Sequence, residues 1–333
     1  MVAGFSPTPI CAKITHVEEN RLGVIDSLSA GLNLITQRPW IVAIPVLLDL
    51  WYWRGPRLSV APLFKQIEQF LVQSMPATMP QGPVDFKTVQ DLLDTLGQRS
   101  NLFSLLSATV LGVPSLMAGD GSGNAGIIEM QSWLVMAGVG ALLMLTGLAI
   151  GCLYLMLILR GVDEEPVEAG TLLRQAGALW LRVIALLLLI VFFAIALAVP
   201  FSLLLSLLTF ISSAAVSFLA GIFYMAIIWL GLYLYFVVYA IMVNRVGPIR
   251  AIWNSANVVA RNFWSASALV ILIIVLTQGL ALVWQRLGQV NPIGFIIGIA
   301  GNAFIGSGLV AASLLFYRDR YQRWQEQGVE IGD

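Results

Sequence analysis

The sequence predicts an all-α membrane protein, a polytopic bundle of about six transmembrane helices. Three observations carry this. Of 333 residues, 59% are hydrophobic and 11% charged, against about 25% charged in soluble domains. Mean hydropathy is +0.87, and a soluble surface this apolar would aggregate. Several apolar stretches reach the roughly 20 residues that cross a hydrocarbon core.

Residues 1–23 form a polar tail containing Cys11 and the single histidine, His16. Glu18 and Glu19 stand where a signal peptide needs its apolar core. The second cysteine, Cys152, lies in an apolar stretch, so a disulfide is not expected. One His and two separated Cys make no closed zinc site. No metal, cofactor or nucleic-acid partner is expected.

Residues 24–53 hold a first surface helix and span. The span, Trp40–Trp53, has fourteen residues with Pro45 and Asp49 inside. It reaches only about 21 Å as an α-helix. It crosses if its helix extends into Leu34–Gln37 or if the bilayer thins; otherwise it is an interfacial half-span.

Residues 54–131 read as an extracytoplasmic loop with short helices. Val89–Leu96 looks helical, with Asp91 and Asp94 on its wet face. Asn101–Met117 is apolar but broken by Gly112 and Pro114. It is expected to be a helix at the interface or against the bundle, with a further span as the alternative. Gly119–Gly126 reads as a flexible loop after the Pro-rich patch Pro76–Pro83.

Residues 132–318 hold five spans: Trp133–Leu159, Val183–Ile211, Phe218–Val243, Ala266–Trp284 and Ile293–Tyr317. Pro200 is read as a kink within one helix. Residues 319–333 form a cytoplasmic tail. With six spans, one side receives Lys13, Arg21, Arg38, Arg160, Arg174, Arg182, Arg245, Arg250, Arg261, Arg318, Arg320 and Arg323. Cytoplasmic loops are enriched in such residues, which puts both termini inside the plasma (inner) membrane. Trp40, Trp180 and Trp264 open the odd-numbered spans on that side.

Those tryptophans suggest a three-fold repeat of cytoplasmic surface helix, span, outer loop and span. Aligning Trp40 with Trp264 places Asn33 on Asn257. Ile25, Leu28, Leu32 and Ile35 share one stripe of the first surface helix. The even spans close alike, with Leu159-Arg160-Gly161-Val162 and Asn244-Arg245-Val246-Gly247.

The unit Arg261-Asn262-Phe263-Trp264 and the run Pro39-Trp40 to Leu50 resemble a group of uncharacterised bacterial membrane proteins. That group is similar to the membrane domain attached to some glycerophosphodiester phosphodiesterases. The resemblance covers most of the helical part but not the long loop. It implies an all-helical membrane module and transfers no catalytic residue.

Charges inside a membrane mark function. Asp49 is the candidate, as a proton or cation site or a partner for a neighbouring base; the plainer reading is an interfacial carboxylate beside Arg54. Gln278, Gln285 and Asn302 are expected to bond helix to helix. Gly294, Gly298 and Gly301 share one face of the last span, and Gly147 and Gly151 one face of the second, as close-packing positions. There is no GxSxG elbow, P-loop or HExxH in the sequence. The expected function is therefore non-catalytic: an accessory, scaffold or lipid-environment module with a membrane-protein partner or a second copy of the chain. The alternative is a transporter or permease for a small or lipid-like solute.

Overall fold

A computed structural model describes residues 22–74, 86–107, 111–116, 126–163, 168–290 and 292–329. The tail with Cys11 and His16 and the patch Pro76–Pro83 lie outside these residues, as does most of Gly119–Gly126.

Helix α1 (Val24–Gln37) starts where the Asp26 carboxylate accepts the Gly23 N–H at 2.9 Å. Its Ser27, Gly31 and Ile35 form a buried stripe, while Asp26, Ser29 and Asn33 are exposed. It does not run on into the first span. Pro39 lacks an N–H and disfavours helical geometry at Arg38, so the chain turns by 93° through the 3-10 turn Pro39–Val42 into α2 (Ala43–Arg54). Turn and helix together cover roughly 26 Å. At one end Arg38 and Ile41 lie against Gly161. At the other, Trp53 packs on Phe295 with ring centroids 4.8 Å apart. Those two partners sit at opposite ends of the bundle, so α2 is a short crossing fed by a surface helix.

Within residues 54–131 the described residues form two helices, a 3-10 turn and a two-stranded sheet. Helix α3 (Ala61–Ser74) packs on α4 (Phe86–Arg99), with Gly97 against Ala61. Strands β1 (Arg57–Ser59) and β2 (Ile127–Glu129) pair in parallel, Leu58 opposite Ile128. Asn101 ties this layer to the next segment, its Oδ1 accepting the Leu58 and Phe103 N–H groups at 3.2 and 3.1 Å.

The remaining chain is helical: α5 (Trp133–Asp163), α6 (Ala169–Thr209), α7 (Ser213–Leu234), α8 (Val237–Asn244), α9 (Pro248–Arg261), α10 (Phe263–Val290) and α11 (Pro292–Val329). Five helices are long and apolar enough to cross a membrane, α7 and α8 forming one, and the count is six where the bent α1–α2 pair is taken as one span. Pro200 sits inside the unbroken α6. The α7–α8 span is interrupted at Tyr235–Phe236, where Phe236 has φ −92° and ψ 4° and the Ser255 hydroxyl donates to the Tyr233 carbonyl at 2.7 Å.

The first and third leading helices share their boundaries. Gly23 and Gly247 cap α1 and α9 with φ/ψ of −62°/169° and −73°/167°. Arg38 and Asn262 end them with φ of −132° and −126°. Each pair is 17 residues or two residues before Trp40 or Trp264, respectively. In the middle copy the leading helix is instead fused to its span as the 41-residue α6.

The core sits at the end where α1, α5, α8 and α9 pack on α11 and the start of α6 lies against α5, α8 and α9. There Tyr154, Tyr317, Phe236, Phe316 and Ile158 are fully buried. Gly31 fits under Gly308 and Ala312; a Cβ at Gly31 would lie 2.6 Å from the Ala312 nitrogen. At the other end α6 and α7 project as an apolar hairpin, stacked through Phe201 and Phe223 at 3.9 Å. Only 11% of the most apolar window of α6 is buried, which suits lipid and not water.

Candidate functional site

The described residues 101–107 and 111–116 do not form a helix at the interface. After the 3-10 turn Leu102–Leu106, residues 111–116 take no regular structure and insert into the bundle, with Leu111, Val113 and Leu116 buried. Gly112 adopts φ +66°, a conformation open to glycine, and Pro114 adds a second obstacle to helix. Irregular backbone at membrane depth persists only inside protein or along a cavity, and this segment has both settings.

Glycines make room for it on two sides. A Cβ at Gly147 would meet the Leu105 carbonyl at 2.6 Å and the Leu106 Cα at 2.7 Å. At Gly151 it would meet Leu111 Cδ1 at 2.6 Å. From α11, Gly306 faces the Pro114 ring, with Pro114 Cγ 2.7 Å from a Cβ placed there, and Gly298 faces Leu116 and Trp284. Gly301 admits the Trp284 ring of α10 to 2.8 Å, and Gly294 is buried. The partner of Gly147 and Gly151 is thus the inserted segment, where the sequence pointed to another helix.

Asp49 holds the segment from the third side. It does not reach outer water beside Arg54; its exposure is 0%, and Arg54 lies over the Trp53 ring at 4.4 Å. The carboxylate accepts the Ser115 hydroxyl and, at 2.9 Å, the Leu116 N–H. One turn on, the Tyr52 hydroxyl donates to Ser107 at 3.1 Å. Helix α2 acts as a bracket for the inserted chain, and Asp49 is its fastening.

The other side of the segment faces a cavity of about 550 Å³. Leu111 to Ser115 form one wall and the interrupted span another, from Gly231 through Tyr235 to Tyr239. The remainder is lined from α5, α6, α10 and α11, among them by Leu155, Leu186, Ile190, Ile273, Thr277 and Leu309. The inserted segment and the helix break therefore line one chamber, whose walls are mainly apolar. Beyond Pro114 and Ser115 lies a second chamber of about 420 Å³. It is lined by Gln278, Gln285 and Asn302, which thus face a cavity. The Trp284 Nε1–H there is buried and without a hydrogen-bond partner among the described residues.

Among the described residues no three His, Cys, Asp or Glu side chains are grouped to hold a metal ion. What the arrangement can do is take up an apolar body and offer it a few polar contacts. The chain matches no protein-family model, no curated protein and no solved structure.

Proposed function

We propose that the protein is a non-catalytic membrane protein that accepts a lipid-like amphiphile into the chamber between α6, α8 and α10, and so acts as a transporter or permease. The observation that supports this is the meeting of an inserted non-helical segment and the two-residue interruption of the α7–α8 span at one cavity. Discontinuous backbone of this kind surrounds the solute sites of membrane carriers. A volume of about 550 Å³ lies within the range of small-molecule sites. The protein resides in the plasma membrane with both termini cytoplasmic, a placement supported by the twelve basic residues on one side.

Gly231 supplies the test. It lines the chamber, and nothing lies within 4 Å of a Cβ placed there. Gly231→Phe places a ring at the chamber wall from a position where a Cβ meets no neighbour. In proteoliposomes, dithionite bleaching of a fluorescent single-chain amphiphile should show exchange with the native chain and near-background exchange with the variant. Equal exchange by both proteins shows that the chamber is not the route and overturns its assignment as the solute site. Exchange by neither favours the accessory role, in which a membrane-protein partner or a second copy covers the α6–α7 hairpin.

A further inference from the structure

One turn beyond the chamber, toward the end that carries the basic clusters, the same two helices enclose a second, chemically different pocket. It measures about 320 Å³. Helix α6 contributes Thr171, Arg174, Gln175 and Arg182, and the end of α8 contributes Ile241, Met242 and Arg245. No carboxylate among the described residues lines it. Glu168, at its rim, accepts the Thr171 hydroxyl at 3.2 Å.

Arg174 and Arg182 lie eight residues apart on α6, a spacing that repeats on one helix face. Arg245 joins them from the opposite wall. None of the three has an ion-pair partner among the described residues, although Asp163 and Asp319 at the same end are paired with Arg318 and Arg323. A fourth guanidinium stands behind the wall: Arg160, 4% exposed, donates to Gln175 Oε1 at 3.2 Å. Arg174 and Arg245 are exposed at the pocket mouth and Arg182 is half-buried; an anion among them would offset their mutual repulsion.

The backbone gives a second, independent sign. Arg245 ends α8 in the left-handed region, φ 53° and ψ 31°. Glycine or asparagine usually occupies that place, and a long side chain held there carries strain of the kind that collects at functional sites. The turn carries Arg245 to the pocket wall.

We infer that Arg174, Arg182 and Arg245 bind a phosphate group, with Gln175 as an added donor. Guanidinium forks match phosphate oxygens in pairs, and basic pockets between transmembrane helices at the cytoplasmic face take anionic lipid headgroups. The pocket and the chamber follow one another along α6, from Arg182 to Leu186 to Ile190, and along α8, from Arg245 to Val238. A phosphate at the arginines thus leaves an attached acyl chain directed to the apolar chamber. This names the substrate class of the proposed transporter as a phosphate-bearing amphiphile, and in that respect rests on that reading.

Three ligands separate the parts. Calorimetric titration of the purified chain in neutral detergent would use dihexanoyl phosphatidic acid, the same diacylglycerol without phosphate, and inorganic phosphate. The phosphatidic acid is expected to bind at least about tenfold more tightly than the diacylglycerol, a difference of about 1.4 kcal/mol. Arg174→Gln/Arg182→Gln and, separately, Arg245→Asn should abolish that advantage and leave diacylglycerol binding intact. Arg286→Gln, remote on α10, should change nothing. Binding of inorganic phosphate that is lost in the double variant also supports the site and identifies the free ion as a ligand. Equal affinity for the two lipids, or an undiminished advantage in both arginine variants, overturns the inference. Loss of diacylglycerol binding in Gly231→Phe reports separately on the chamber, so the two readings can fail independently. Thermal midpoints of each variant establish that it is folded.

Discussion

Gly306→Ala is the sharpest probe of the inserted segment. The new Cβ would stand 2.7 Å from Pro114 Cγ and against Pro114 Cβ as well. A proline ring has no rotamer by which to withdraw, so restoring ordinary contact at roughly 3.5 Å requires a shift of about 1 Å. Overpacking of that kind costs about 1–3 kcal/mol. The same shift lengthens the hydrogen bond from Leu116 N–H to Asp49, now 2.9 Å, beyond its useful range. A hydrogen bond to a charged group contributes about 1.5–3 kcal/mol. The sum is about 2.5–6 kcal/mol, and at about 2 °C per kcal/mol for a large chain the melting midpoint falls by roughly 5–12 °C. The assay is scanning fluorimetry of the detergent-solubilised protein, paired with maleimide labelling of a Ser115→Cys reporter in both backgrounds. A midpoint within a degree of the parent, together with unchanged labelling, would refute the close approach of α11 to Pro114.

Asp49→Asn keeps the side-chain size but weakens its acceptance from Ser115 and Leu116; a loss of about 1.5–3 kcal/mol is expected, and a double-mutant cycle with Ser115→Ala should show coupling well above zero. Gly31→Leu should lift α1 off Gly308 and Ala312 and expose α1 to limited proteolysis, with an unchanged digestion pattern counting against that packing. The Asp163–Arg318 pair has side chains 29% and 35% exposed, so its coupling energy by double-mutant cycle should be below about 1 kcal/mol. Reporter fusions at Arg174, Pro248 and the C-terminus should all report the cytoplasm; one on the outer side overturns the six-crossing topology.

The long spans were legible because hydropathy alone determines them: α5, α6, α10 and α11 fall where apolar residues run past bilayer length. The turn before α2 was written in Pro39, though its consequence was misjudged. Residues Leu34–Gln37 are helical, as an extension of Trp40–Trp53 would need, but the helix they belong to points 93° away. Residues 101–116 show why apolarity is insufficient. Their composition suits a helix, and Gly112 and Pro114 gave the warning, but the acceptor for their free backbone is a carboxylate over sixty residues earlier. No local pattern links Asp49 to Leu116. The arginine pocket was half visible: Arg174 and Arg182 share a helix face, whereas Arg245 joins them only once α8 is laid beside α6.

The seat of Gly31 beneath Gly308 and Ala312 bears on how the chain is made. Helix α1 is synthesised early, and α11 is the last helix described. Until α11 emerges, the small-residue stripe of α1 has no cover, and the Pro114 side of residues 111–116 lacks its wall. Both vacancies close in one late step, a contact between remote stretches of chain of the kind that slows folding. A ribosome stalled before α11 would release spans already lodged in the bilayer whose unfinished seam is open to membrane proteases.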